Sequence, residues 1–376
     1  MEIELADRIR KIDKTSYLPR HYQVSEQIKE AISLSPHEKG DRIPTERELS
    51  EFFGVSRVTV RRALDSLVRE GTLEKEWSKG IFIKKPVIPI RKGTKKIGIT
   101  MWQGESITYH PATMEVMRGI GEVFNKIKDF VLEIIFITPE MITNSCYPKT
   151  IENGTLDGLI FYVQEIPLPH AEKLKGSIPN TIFANRDSGC CVLIDYSAAS
   201  WKVTEHLIAL GHRKIALLNG PKDFDVSART LSGYRRALEE HGIPFNPGLV
   251  RNGYYDYKNG LDMTTELFSC AEHPTAIIAG DDIIALGVMD ALKKLGMRCP
   301  EDVSLASFND FPFARSTNPP LSSVKIPCYE MGRELALFIT ELVEGGGVTE
   351  TETKKVLEGE FIIRESTCPV KTTGGA

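Results

Sequence analysis

No run of about 18 apolar residues occurs in the 376-residue chain, so no transmembrane helix is expected. Cysteine is sparse: seven residues, an odd number, with no C-x-x-C pair and with Cys190 and Cys191 adjacent. That is neither a disulfide framework nor a zinc-binding pattern, and it points to reduced thiols in a cytoplasmic protein. The opening Met1-Glu2-Ile3-Glu4-Leu5-Ala6-Asp7 is acidic and lacks an apolar core, so it is not expected to act as a secretory signal. Catalytic signatures are missing as well: there is no G-x-S-x-G, no H-E-x-x-H and no P-loop. His206 and His212 are six apart with Gly211 between them, which does not place them on one helix face. Asp281 and Asp282 are neighbours at a helix start and point apart. No catalytic residue, no metal site and no cofactor is expected, and an enzyme is disfavoured.

What is present is ordinary in bulk and uneven in placement. A hydrophobic fraction of 41% and a charged fraction of 26% belong to a globular protein rather than a disordered or fibrous one. The length allows two or three domains. Residues 1–96 hold 21 Lys and Arg against 15 Asp and Glu, whereas the rest holds 26 against 36. A basic head on an acidic body suggests that only the head meets a polyanion.

The head reads as three helices and a hairpin. Val24, Ile28 and Ile32 recur every four residues and make one apolar stripe. Thr45 followed by Glu48 is a capping box, opening a helix that carries Leu49, Phe52 and Phe53 and stops at Gly54. Ser56 can cap the next helix, whose buried stripe is Val60, Leu64, Leu67 and Val68 and which ends at Gly71. Its opposite front carries Arg57, Thr59, Arg61 and Arg62, and residues 56–62 contain no acid. A guanidinium can donate two hydrogen bonds to the O6/N7 edge of guanine and also suits phosphate, so this segment is predicted to bind DNA. Leu73–Trp77 and Ile81–Ile83, around Ser78-Lys79-Gly80, predict a small wing.

Residues 84–96 include two prolines, a glycine and six basic residues, a linker composition. Beyond it, short apolar runs at 97–101, 131–137, 156–163, 180–184, 213–219, 249–254, 275–279 and 303–308 alternate with amphipathic helical patterns. That alternation predicts parallel sheets covered on both faces. About 280 residues are too many for one core, so two α/β lobes are expected.

The residues Pro44-Thr45-Glu46-Arg47-Glu48-Leu49-Ser50, Gly54 through Leu64, and Leu67-Val68-Arg69-Glu70-Gly71 resemble the winged-helix domain of the GntR family of bacterial regulators. The resemblance implies DNA contacts from Arg47 and from Ser56, Arg57, Thr59 and Arg61, with Lys79 and Gly80 in the wing. The usual wing motif Gly-Lys-Gly-Thr-Phe is replaced here by Ser78-Lys79-Gly80-Ile81-Phe82.

The body resembles the effector domain of the LacI/GalR family. The resemblance rests on Leu210-Gly211-His212-Arg213-Lys214-Ile215-Ala216, Ser227-x-Arg229 with Gly233-Tyr234, Asp281-Asp282 with Ala285-Leu286-Gly287, and Phe308-Asn309-Asp310. The implied fold class is an N-terminal winged helix-turn-helix (α+β) plus an α/β two-lobed type I periplasmic-binding-protein-like domain. Its boundaries are 20–85 for the winged helix, 86–96 for the linker and 97–365 for the effector and dimerisation domain. Lobe 1 is assigned 97–194 and 318–346, and lobe 2 is assigned 195–317 and 347–365.

In open parallel sheets, ligands bind beyond the carboxyl ends of the strands. Aromatic rings beside amides, acids and arginines at those ends suit a sugar, the ring faces taking its C–H patch and the polar groups its hydroxyls. The candidates are Trp102, Tyr109, Tyr162, Arg186, Arg229, Tyr255, Asp281 and Asn309. The resemblance implies that Arg229 binds ligand. The sequence therefore predicts a homodimeric regulator whose partners are a double-stranded DNA operator and a small-molecule effector, with no membrane contact. Sugar is the first reading for the effector, a purine or amino acid the alternative. A sugar-binding protein with no regulatory role is a further one.

Overall fold

The computed structural model describes residues 12, 19–33, 40–76, 80–84, 94–103, 110–127, 129–144, 146–162, 171, 176–178, 180–269, 273–345 and 354–371. The chain forms two compact units, Met1–Thr94 and Lys95–Ala376. Most of the predicted linker lies outside the described residues.

The first unit contains helices Arg20–Ser33, Glu46–Phe53 and Arg57–Arg69, followed by antiparallel β1 (Leu73–Glu76) and β2 (Gly80–Ile83). Both halves of the capping box form: the Glu48 amide donates to Thr45 Oγ1 at 3.3 Å, and the Thr45 amide donates to Glu48 Oε2 at 2.7 Å. Gly54, at φ +63°, ends that helix in the left-handed region that glycine tolerates. Ser56 then caps the next helix through the Thr59 amide. Val24, Ile28, Ile32, Leu49, Phe53, Val60, Leu64 and Leu67 meet Leu73 and Ile83 in one core. Phe52 and Val68 are only half-buried and lie at its edge.

The second unit holds two six-stranded sheets. Lobe 1 is built on β3 (Lys95–Trp102), β4 (Phe130–Ile137), β5 (Gly158–Phe161), β6 (Thr181–Ala184), β7 (Cys191–Ile194) and β13 (Lys354–Leu357), in the order β13-β7-β6-β5-β3-β4 and parallel throughout. Lobe 2 is built on β8 (Ile215–Asn219), β9 (Val250–Asn252), β10 (Ala276–Ala279), β11 (Ser304–Phe308), β12 (Ser322–Lys325) and β14 (Glu360–Ile362). Its order is β14-β12-β11-β10-β8-β9, with β14 alone antiparallel. Strands β5, β6, β8, β10 and β11 are buried at every position, as parallel strands covered by helices on both faces must be.

The sequence reading placed 318–346 in lobe 1 and 347–365 in lobe 2, and the ladders divide these segments differently. β12 pairs with β11 in lobe 2, whereas the following helix Cys328–Glu344 packs on Pro111–Lys126 in lobe 1. β13 then pairs with β7 in lobe 1 before β14 returns to lobe 2. The chain thus crosses between lobes three times: after Ile194, between Lys325 and Cys328, and between Leu357 and Glu360. Strands of three or four residues carry too little periodicity to announce which ladder they join.

Candidate DNA-reading face and effector cavity

The helix Arg57–Arg69 turns Val60, Ala63, Leu64 and Leu67 inward and leaves Arg57, Arg61 and Arg62 exposed. Ser56 and Thr59 spend part of their polarity on the helix start: their hydroxyl oxygens lie 2.9 Å apart, and Ser56 Oγ accepts the Thr59 amide at 3.2 Å. Arg61 grips Glu46 of the preceding helix, donating from Nε to both carboxylate oxygens at 3.1 Å and from Nη2 at 2.7 Å. That bond holds the Glu46 carboxyl below its ordinary range. Segment 56–62 has no acid of its own, yet the fold brings one to it. Arg47, also exposed, pairs with Glu51 one turn on at 3.0 Å. Exposed pairs of this kind contribute about 0–1 kcal/mol, so a phosphate or a base edge can displace them.

Gly80 has φ +127°, and a Cβ there would stand 2.9 Å from Arg42 Nε. The glycine is a seat for the Arg42 side chain, a cation the sequence reading passed over. Lys79, with Trp77 and Ser78, lies outside the described residues.

In the second unit a cavity of about 120 Å³ opens between the lobes, the volume of roughly four waters at liquid density. Trp102, Tyr162 and Asn309 line it where β3, β5 and β11 end, and Tyr255 lines it from the loop after β9. Tyr109 lies outside the described residues. Arg186, Arg229 and Asp281 do not line it. Arg186 is buried against the Phe161 ring and faces Asp225 across the lobes at 3.7 Å. Asp281 stands one bond behind the wall: Oδ1 caps its helix by accepting the Ile283 and Ile284 amides at 2.8 and 2.9 Å. Its Oδ2 lies 2.7 Å from His110 Nε2 of lobe 1 and accepts Asn309 Nδ2 at 3.4 Å. Arg229 is half-exposed and makes no hydrogen bond or ion pair among the described residues. It sits three residues after Val226, which does line the cavity, and so shares its helix face.

Other wall residues are not among the predicted contacts: His110, Asn185, Tyr196, Phe224 and Cys328. Asn185 was within reach, because it ends β6 as Asn309 ends β11. Both take positive φ, +56° and +98°, a conformation that asparagine adopts more readily than most residues. Asn185 Oδ1 accepts the Ile194 amide at 3.0 Å, which fixes the turn. His110 gave no signal, since it precedes a helix rather than ending a strand. Burial pushes the Tyr196 hydroxyl well above its ordinary value and the Cys328 thiol up to about 12. Both remain neutral, so the described wall is aromatic and aliphatic with two asparagines, and has no lysine, arginine or carboxylate of its own.

Behind the lobe 2 wall, Asp282 is fully buried. It accepts hydrogen bonds from the Ser307 and Ser323 hydroxyls and from the Phe311 amide, joining three elements. Burial raises its value from 3.8 to about 7 against the pull of those donors. A raised carboxyl stabilises the fold fully below its unfolded value, and this contribution is lost as pH climbs from about 4 through 7, a swing on the order of 4 kcal/mol. Asp282→Asn should therefore flatten the fall in stability between pH 4.5 and 7.5. Urea midpoints at the two pH values check this, and equal slopes for both proteins would refute it.

Residues 21–83 match the model for bacterial regulatory proteins of the gntR family, and residues 204–367 match the periplasmic binding protein-like domain. The chain is 28% identical over 370 residues to the arabinose metabolism transcriptional repressor of Geobacillus stearothermophilus, covering 94% of this chain and 99% of that one. It is 27% identical over 261 residues to the transcriptional repressor CytR of Escherichia coli, covering 68% and 76%. Among solved structures, a putative LacI transcriptional regulator from Bacillus cereus superposes with a TM-score of 0.66 at 27% identity, over 74% of this chain and all of the other. The exposed guanidinium face and the interlobe cavity thus belong to a GntR-type helix-turn-helix domain followed by a periplasmic-binding-protein-like domain.

Proposed function

We propose that this protein is a cytoplasmic transcriptional repressor, a homodimer whose two heads bind a palindromic operator and whose interlobe cavity takes a neutral sugar. The observation that carries this reading is the pairing, on one chain, of a helix with an arginine front and a cavity walled by aromatic rings and amides. The relatives it matches are regulators rather than enzymes. The sugar changes operator affinity by binding one cleft geometry better than another, since an effector shifts an equilibrium only by its differential affinity.

An amino acid effector is disfavoured. Asp281, the natural ammonium partner, already accepts two amides and faces His110. A thermal-shift screen of pentoses, hexoses, their phosphates, nucleosides and amino acids tests the class. A ligand stabilises by RT ln(1 + [L]/Kd), so a neutral sugar should raise the melting temperature and amino acids should not.

Arg229 belongs to the ligand set by its position beside Val226. Arg229→Ala should keep fold and operator affinity but weaken sugar binding by roughly 2–3 kcal/mol, about 30–150-fold, as when a ligand group loses a charged partner. Calorimetric titration with the sugar that scores in the screen decides it, and a loss under threefold would remove Arg229 from the set. Residues 95–376 alone should sediment as a dimer, and a monomer would remove the basis for symmetric half-sites.

A further inference from the structure

On the face that carries Arg61 and Arg62, the helix Arg57–Arg69 also presents Val58, which is 60% exposed. Arg61 and Arg62 follow it by three and four residues, so the three share one side of the helix. The core stripe, Val60, Ala63, Leu64 and Leu67, points the other way. A single exposed apolar residue is ordinary on a protein surface. This one stands in the first turn of the second helix of a helix-turn-helix, the turn whose side chains reach base edges in the major groove. Its neighbours there are charged or hydrogen-bonded: Arg57 is exposed, and the Thr59 hydroxyl is turned to Ser56.

Valine is stiff in a helix, with one strongly preferred χ1 rotamer, so its two methyl groups project in a fixed direction. The apolar group that the base pairs offer on the major-groove side is the 5-methyl of thymine. We infer that Val58 reads a thymine methyl in each operator half-site. The inference rests on the proposed DNA-binding function and adds a specificity element made of contact rather than of hydrogen bonds.

The test begins by selecting bound sequences from a pool of random duplexes with the full-length protein. Each thymine of the enriched half-site is then replaced by deoxyuridine, which removes the methyl group and leaves base pairing and the hydrogen-bonding edge intact. For the native protein, one position should lose about fourfold in affinity per half-site, the size expected for exposing one buried methyl group, and about tenfold or more when both half-sites are changed. Val58→Ala should bind the thymine site more weakly, and deoxyuridine at that position should then cost it nothing further. The variant is exposed and places a better helix former in the helix, so it folds. The inference is overturned if no thymine in the half-site responds, or if deoxyuridine weakens Val58→Ala as much as the native protein. A pool with no enriched sequence at all would instead overturn the DNA-binding reading itself.

Discussion

Changing Arg47, Arg57 and Arg61 together to alanine should weaken binding to the selected operator by about a thousandfold or more at moderate salt. An arginine that reads a guanine edge contributes about 1–3 kcal/mol, and one that holds a phosphate adds a share of the salt dependence. Arg61 carries more than its own contact. With Arg61 gone, the Glu46 carboxylate, now neutralised by three hydrogen bonds, would face the DNA backbone unpaired. The fold should survive, because all three arginines are exposed and their ion pairs are of the weak surface kind. Fluorescence anisotropy across a salt series measures both quantities: affinity should fall and the slope against log salt should become shallower. An unchanged affinity in a protein that still melts normally would place the DNA contacts elsewhere.

The second large effect concerns stability. Helices Pro111–Lys126 and Cys328–Glu344 of lobe 1 approach so closely that each uses a glycine as the contact. A Cβ on Gly332 would stand 2.0 Å from the Val116 carbonyl oxygen, and a Cβ on Gly119 would stand 2.1 Å from that of Tyr329. The obstructing atoms are helical backbone, which cannot swing aside as a side chain can. Inserting a carbon into a packed interior typically costs about 1–3 kcal/mol, and an obstruction made wholly of Val116 backbone atoms puts Gly332→Ala at the upper end or beyond. The melting temperature of the second unit should drop by about 10 °C, a shift of this size following from about 3 kcal/mol or more in a domain of this length. Gly121→Ala on the first of these helices is the control, because a Cβ there meets nothing within 4 Å and alanine is the better helix former. If the two variants melt alike, the helices separate easily and the close approach has no energetic weight.

The elements that sequence alone determined are those with strong local physics. Thr45 with Glu48, Gly54 and Ser56 fixed the helix-turn-helix, because capping and left-handed stops are decided within four residues. Most buried strands of the sheets were legible as apolar runs, and Trp102, Tyr162 and Asn309 as strand ends, which the fold places on the interlobe cavity. Strands β7, β12, β13 and β14 were not legible, being short and defined only by the ladders they complete. Nor was the use of each polar group. Asp281 and Asp282 look alike in the sequence, yet one caps a helix and faces His110 across the cleft while the other is sealed among two serines and an amide. Arg61 looked free until Glu46 reached it from another helix, fifteen residues away. Local rules see a side chain's type and its periodicity. Partners far along the chain are chosen by packing, and only the tertiary structure decided which carboxylates and arginines pair with one another and which asparagines face the interlobe cavity.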